Sequence, residues 1–266
     1  MSSPEVTRRQ DQRILYPEQR REFILTKLRM EGQADAAGIA ESLGVTNETV
    51  RKDLVMLEQT GLLRRVHGGA VPVGRLSFEP AVASRTGFAE EKTRIAKAAL
   101  EHLPTGGSVL IDAGSTTARL ADLFPRDREM TVYTNTLTIA MSLLDRPLLT
   151  VYTFGGRIRP LTVAEVDDWA ARSLGEINVD VAFLGANAVS VDRGLTTPDP
   201  AEAAIKRLML SSARKRILLT DHSKFGVVSN CKHADLADID LMITDNAADS
   251  RELKALRAAG VQVQLA

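Results

Sequence analysis

Two hydrophobic periodicities divide the chain. From residue 17 to residue 60 the apolar positions recur every three or four residues, the spacing of a helix face turned to a core. Phe23, Ile24 and Leu28 form one stripe, Ile39 and Leu43 a second, and Val50, Leu54 and Leu57 a third. Local punctuation separates them. Pro17 can open the first helix, where its missing N–H costs nothing. Glu18 and Glu22 follow in turns where the helix dipole favours acids, and Gly32 stops the helix. A second helix is predicted over 36–43, ending at Gly44. Thr46 is a good N-cap for a third over 47–59, because its hydroxyl can accept a free N–H, and Gly61 ends it. Two short extended runs, 62–66 and 70–73, then flank His67-Gly68-Gly69 in the pattern of a β-hairpin.

Beyond residue 90 the pattern changes. Continuous apolar, β-rich runs occupy 109–112, 131–134, 149–154, 179–184, 216–220, 241–244 and 261–265. Helical stretches at 91–103, 116–124, 201–212 and 251–258 lie between them. Uniformly apolar strands alternating with helices predict a mostly parallel sheet covered on both faces. The expected organisation is therefore a disordered polar tail (1–16), a winged helix-turn-helix domain of α+β type (17–73), a linker (74–89) marked by Gly74 and Ser77, and an α/β domain (90–266).

Composition narrows the classes. Apolar residues make up 44% of the chain but aromatics only 4%, so Val, Leu, Ile and Ala must fill the cores. No run approaches the roughly 18–20 apolar residues of a membrane span. The polar N-terminus argues against secretion, so a cytoplasmic protein without a membrane partner is expected. Cys231 is the one cysteine, which rules out an internal disulfide and fits a reducing compartment. It and His233 do not make a metal site, and the remaining histidines, His67, His102 and His222, stand apart; no metal or other cofactor is expected. No phosphate-cradling G-x-x-x-x-G-K run occurs, which argues against ATP hydrolysis. Charge is nearly silent: residues 1–75 carry 12 Lys and Arg against 10 Asp and Glu, leaving 22 against 24 in the rest.

Local arrangement says more than net charge. Helix, tight turn and helix, with Gly44 in the connection, is the helix-turn-helix pattern. Asn47, Glu48, Thr49, Arg51 and Lys52 populate the early turns of the third helix, where side chains that read base edges and hold phosphates belong. Arg64, Arg65 and His67 lie in the hairpin beside glycines that permit close backbone approach. A three-helix packing unit with a solvated charged face fits the periodicity equally well. In the second half, Asp112-Ala113-Gly114-Ser115-Thr116-Thr117 joins a strand to a helix, placing hydroxyls and free N–H groups where an anion binds; an ordinary helix cap would need only one of those hydroxyls. Further loops after strands, at Thr134-Asn135, Gly155-Gly156-Arg157, Gly185-Ala186-Asn187, Gly194-Leu195-Thr196-Thr197 and Asp221-His222-Ser223-Lys224, sit where open α/β sheets bind ligands. Glu202 and Lys206 are four apart on one helix, the spacing of a surface ion pair or of two groups facing one pocket.

Thr49-Val50-Arg51-Lys52-Asp53-Leu54, followed by Leu57, Gly61, Leu62, Leu63, Arg65 and His67-Gly68-Gly69-Ala70, closely resembles the signature of DeoR-type repressors. It departs mildly at Thr46, where serine is common. The resemblance implies that Thr49, Arg51 and Lys52 contact operator DNA, and that Asp53 orients neighbouring basic side chains. The region from Glu91 to Phe225 resembles the effector domain of the same family through Glu91-Lys92, Asp112 to Thr117, Thr134-Asn135, Gly155-Gly156 with Arg157 and Arg159, Asp180-x-Ala182-Phe183-x-Gly185, Gly194-x-Thr196, Glu202-x-x-x-Lys206 and Asp221-x-x-Lys224-Phe225. Trp169 departs from that pattern. Such domains are similar in fold to ribose-5-phosphate isomerase. The resemblance implies a phosphate at Gly114, Ser115, Thr116 and Thr117, with sugar hydroxyls near Asn135, Asn187, Glu202, Lys206 or Lys224; Asp112, Gly156 and Arg157 complete the expected site.

An isomerase carrying a DNA-binding arm is the rival class. Isomerisation needs a carboxylate base at the sugar carbons, and the acidic residues that such enzymes carry after the Gly185-Ala186 stretch are here Asn187, Ala188, Val189 and Ser190. Glu202 remains without an evident partner. The sequence thus predicts a repressor, not an enzyme. It would bind double-stranded operator DNA as a homodimer or homotetramer and release it on binding a phosphorylated sugar such as fructose 1-phosphate.

Overall fold

The computed structural model describes residues 16–60, 62–72, 76–77 and 79–266. The tail expected over 1–16 falls, apart from Tyr16, outside the described residues, as do Gly61, Val73 and linker positions 74, 75 and 78.

Three helices, α1 (Pro17–Glu31), α2 (Ala36–Leu43) and α3 (Asn47–Gln59), pack with a three-stranded antiparallel sheet of β1 (Ala34–Asp35), β2 (Leu63–Val66) and β3 (Gly69–Pro72) in the order β1-β3-β2. The stripes meet as their spacing requires: Ile24, Leu28, Ile39, Val50, Leu54, Leu57, Leu63 and Ala70 form one buried cluster. The ends are chemically fixed. Gly32 and Gly44 close α1 and α2 in the left-handed conformation. Asp35 caps α2 through Ala37 N and Gly38 N, and the Thr46 hydroxyl accepts Thr49 N at 3.2 Å to cap α3. β1 pairs Asp35 opposite Gly69, and a Cβ added at Gly69 would lie 2.1 Å from the Ala34 carbonyl. That glycine serves close approach within the chain itself, whereas the sequence suggested approach to a partner. Asp53 is buried and takes the Arg20 guanidinium of α1 at 2.8 Å. The basic side chain it holds thus lies on α1, and the pair ties α3 to α1.

A connecting segment with one 3-10 turn (Val82–Ser84) leads to the larger domain. Its helices are α4 (Ala89–Ala99), α5 (Ser115–Asp122), α6 (Leu137–Leu143), α7 (Asp168–Gly175), α8 (Pro200–Ser211) and α9 (Ser250–Ala258). Its main strands are β4 (Ser108–Ile111), β5 (Met130–Thr134), β6 (Leu149–Thr153), β9 (Val179–Gly185), β12 (Ala213–Leu219), β14 (Leu241–Thr244) and β15 (Val263–Leu265). They form one parallel sheet in the order β15-β14-β12-β9-β4-β5-β6. All seven apolar runs read from the sequence are these strands. The side chains alternate across the sheet. Val109, Ile111, Val181, Phe183, Ile217 and Leu219 pack with α4, α5 and α6 on one face. Leu110, Ala182, Leu184, Leu218 and Met242 pack with α7, α8 and α9 on the other.

Two small sheets have no counterpart in the sequence pattern: a β7 (Arg157–Arg159)–β8 (Ala164–Val166) hairpin, and β10 (Ala188–Ser190), β11 (Gly194–Thr197) and β13 (Cys231–Ala234) in the order β10-β11-β13. Residues 194–197, read as a ligand loop, are thus a buried strand. Strands of three or four residues paired at long range carry too little periodicity to be seen locally.

Candidate functional site

The strand order reverses at β4, whose sequence neighbours β5 and β6 lie on one side while β9, β12, β14 and β15 lie on the other. Open α/β sheets bind ligands outside the carboxyl ends of strands at such a point. Here the loop after β4, the Gly185-Ala186-Asn187 corner after β9 and the turn after β12 enclose a small cavity with about 30 Å³ of free space. Gly114, Ser115, Thr116, Thr117, Asn187, Glu202, Lys206 and Lys224, all read from the sequence, line it together. The Thr117 hydroxyl is spent on the Gly114 carbonyl at 3.0 Å. Those of Ser115 and Thr116 stand at the start of α5 beside its free N–H groups, which point outward as donors.

Asp112 and Asn135 lie just behind this wall. Asn135 Oδ1 accepts Ala113 N at 2.9 Å, and Asp112 accepts Gly185 N at 3.0 Å and the Lys206 ammonium. They hold the two loops in register. Glu202 and Lys206 do not pair with each other on the surface: both are buried, Lys206 on Asp112 and the Gly185 carbonyl, Glu202 on Thr162 and Arg159. Gly156 and Arg157 do not line the cavity. β6 is the far edge of the sheet, and the hairpin it feeds leaves Arg157 exposed, 3.7 Å from Asp167. Only Arg159 returns, with Glu79 at 2.6 Å, Asp199 at 3.0 Å and Glu202 at 3.1 Å.

Electrostatics follow from burial. Burial, then the charge of Glu79, pushes the Glu202 carboxyl above its ordinary range. Burial brings Lys92, whose Nζ donates to the Arg85 carbonyl, down to about 8. It also depresses Lys224, which has no carboxylate within ion-pair distance among the described residues. Asp221 is held below the ordinary range: burial opposes this, but Lys224 and Lys92 outweigh it. Its Oδ2 is buried without a partner among the described residues. Glu79, Arg85, Thr162 and Asp221 also line the cavity; Asp221 belongs to a loop read from the sequence, whereas sequence reasoning missed the other three. Glu79 and Arg85 come from the interdomain segment, which has no periodicity to flag it. Among the described residues no group of His, Cys, Asp and Glu could hold a metal ion.

On the other domain, Asn47, Glu48, Arg51 and Lys52 are exposed along the first turns of α3, and Thr49 is half-buried against Thr46. Arg51 lines a crevice of about 760 Å³ with Arg64, His67, His222, Arg251 and Glu252. Arg65 is exposed and folded back on Glu58 at 2.8 Å. Arg64 points elsewhere than the sequence suggested: its Nη2 donates to the Phe225 carbonyl of the larger domain at 2.7 Å. Its guanidinium joins the domains.

That contact is one of several. The turn Asp221-His222-Ser223-Lys224 lines the cavity with its first and last residues and touches the small domain with the middle two. Ser223 Oγ donates to Gln33 Oε1 at 3.0 Å, and Gln33 Nε2 to the Gly87 carbonyl at 2.7 Å. His222 places Nδ1 2.7 Å from Asp245 Oδ2 and Nε2 2.7 Å from the His67 carbonyl. Both partners only accept, so only an imidazolium can donate to both. Burial opposes the charged ring, yet the hydrogen bond and charge of Asp245, with the His67 carbonyl and Asp221, raise its pKa above 6.5. A raised folded-state value means a contribution complete below about pH 6.5 and lost as pH rises through that value. The stability difference between the wild type and His222→Gln should therefore be largest near pH 6 and shrink towards pH 9 in paired denaturation curves. An equal difference at both ends would assign the imidazole a packing role only.

Comparison with known proteins agrees with this layout. The model of the DeoR-like helix-turn-helix domain matches residues 20–74, and that of the DeoR C terminal sensor domain matches residues 88–246. The chain is 33% identical over 258 residues to a putative aga operon transcriptional repressor of Escherichia coli O157:H7, covering 96% of each. It is 36% identical over 250 residues to the HTH-type transcriptional regulator GlpR of Haloferax volcanii, covering 94% of this chain and 98% of that one. The chain belongs to the DeoR family of transcriptional regulators; it is a DNA-binding regulator and not an enzyme. Among solved structures, a D-ribose-5-phosphate isomerase in complex with phospho-erythronic acid is similar over 52% of this chain and 54% of that one, with a TM-score of 0.38 and 18% identity. That likeness is too distant to bear on activity. Among the described residues no helix is long and apolar enough to cross a membrane.

Proposed function

We propose that the protein is a cytoplasmic repressor of sugar-metabolism genes, released from its operator by a phosphorylated sugar, with fructose 1-phosphate the first candidate. The observation that carries this reading is the cavity at the strand-order reversal. A helix start with two hydroxyls lines it together with Lys224, and the loop bearing that lysine contacts the DNA-reading domain. Gly114, Ser115 and Thr116 would take the phosphate, with Lys224 as counter-charge. Asn187, Glu202 and Arg159 suit sugar hydroxyls, while Asp112, Asn135 and Lys206 hold the walls. On DNA, Asn47, Glu48, Thr49, Arg51 and Lys52 would enter the major groove, with Arg65 and His67 on the flanking backbone. One recognition helix covers few base pairs, so a homodimer or homotetramer placing two helices one turn of DNA apart, or a multiple of it, is the working assembly.

A ligand switches only if it binds the two states unequally. In fluorescence anisotropy at fixed salt, on DNA from the protein's own promoter, one sugar phosphate of a panel should release the bound wild type. Thr116→Ala should bind that DNA with unchanged affinity yet resist release. Full release of Thr116→Ala would move the phosphate away from α5; no specific DNA binding by the wild type would remove the repressor reading.

A further inference from the structure

The cavity is already occupied on its cationic side by the chain's own carboxylate. The Glu79 side chain is 1% exposed. Its Oε1 accepts Arg85 Nη2 at 2.8 Å and Asn187 Nδ2 at 2.9 Å, and its Oε2 lies 2.6 Å from Arg159 Nη1. Arg85 and Asn187 line the cavity, and their donors are ones that an anionic, hydroxylated ligand would use. The free space of about 30 Å³ admits about two water molecules, whereas small-molecule sites offer roughly 300–1,000 Å³.

We propose that Glu79 is a built-in counter-anion of the effector cavity, which the ligand must expel to enter, so that ligand entry and release of the interdomain segment are one event. The proposal rests on the phosphosugar reading above. Most walls of the cavity belong to the ends of β4, β9 and β12 and to α5 and α8, all anchored in the two sheet-face cores. Glu79 and Arg85 are instead carried by the segment between the domains, which has one 3-10 turn and no strand partner among the described residues. The segment is tied to the larger domain, where Val82 N donates to the Leu161 carbonyl at 2.6 Å, the Leu76 carbonyl accepts Asn230 N at 3.2 Å and the Arg85 carbonyl accepts Lys92 Nζ at 3.0 Å, and it is tied also to the end of α1. Ser84 Oγ donates to the Met30 carbonyl at 2.8 Å, Thr86 Oγ1 to Glu31 Oε2 at 3.2 Å, and the Gly87 carbonyl accepts Gln33 Nε2 at 2.7 Å. A displaced Glu79 therefore pulls on the contacts that seat the DNA-reading domain. Glu79 also lies close enough to Glu202 to raise its pKa, so the two carboxylates repel each other while Glu79 is seated.

The test uses the full chain, with inorganic phosphate and fructose 1-phosphate as probes in titration calorimetry and promoter DNA in anisotropy. Glu79→Gln keeps the shape and removes the competing charge. It should bind inorganic phosphate at least about fivefold tighter than the wild type, the lower end of typical site-to-site couplings. By the same linkage, its affinity for promoter DNA without added anion should fall. Equal or weaker phosphate binding by the variant would overturn the counter-anion while leaving the effector reading intact. If neither protein binds either probe, the site reading falls and the proposal with it. A second measurement needs no variant: trypsin cleavage of the wild type after Arg85 should accelerate when phosphate saturates the protein, and unchanged or slower cleavage overturns the displacement.

Discussion

Arg51→Ala is expected to cost the protein its specific operator affinity while leaving the effector cavity untouched. Arg51 stands exposed near the start of α3, two residues from the half-buried Thr49 and opposite the buried face of Val50 and Leu54. A guanidinium there can reach a guanine edge with two parallel donors, and such a pair discriminates by about 1–3 kcal/mol. In the proposed two-fold assembly that pairing is made in both half-sites, so affinity should fall by about 30-fold or more. Salt dependence separates the two ways Arg51 could act. If the guanidinium reads a base edge, the variant binds the operator far more weakly but unrelated DNA nearly as well as the wild type. If it holds a phosphate, binding to both weakens alike and the salt slope flattens by about one unit. Undiminished operator binding would remove α3 as the recognition helix.

Lys206→Ala should destabilise the larger domain strongly. Lys206 and Asp112 are both buried, at 5% and 1% exposure, and their charges meet across the wall of the cavity. Removing one partner strands a buried carboxylate with only the Gly185 N–H at 3.0 Å, and breaking a buried pair in this way costs about 3–5 kcal/mol. Replacing both members by uncharged groups of similar volume is often nearly neutral. Lys206→Met combined with Asp112→Asn should therefore recover most of the stability that Lys206→Met alone removes. Thermal denaturation of the single and double variants reads this directly. A double variant as unstable as the single one would mean that the lysine stem, not the charge pair, carries the stability.

Much of this protein is determined locally. The three helices of the small domain follow from stripes at i, i+3 and i+4, from Gly32 and Gly44 in the left-handed conformation and from the hydroxyl of Thr46. The seven strands of the large sheet follow from apolar runs that only a doubly covered sheet can bury. The hydroxyl run at 115–117 and the Thr49-Val50-Arg51-Lys52 face are legible for the same reason: each needs only neighbours in sequence and the start of a helix.

Tertiary structure decided the rest, because the deciding contacts are long-range. Strand order put β4 beside β9 and β6 at the far edge, so the cavity includes Asn187 and excludes Gly156 and Arg157. Asp53 found Arg20 on another helix, Arg64 found the Phe225 carbonyl, and Lys206 found Asp112 across 94 residues. Glu79 and Arg85 had no pattern of their own, yet the interdomain segment delivers them into the cavity. Hydrophobic period is a property of consecutive residues and can be read along the chain. A buried charge finds its partner only where the folded core brings distant residues together, because leaving it unpaired there costs more than any local preference can supply.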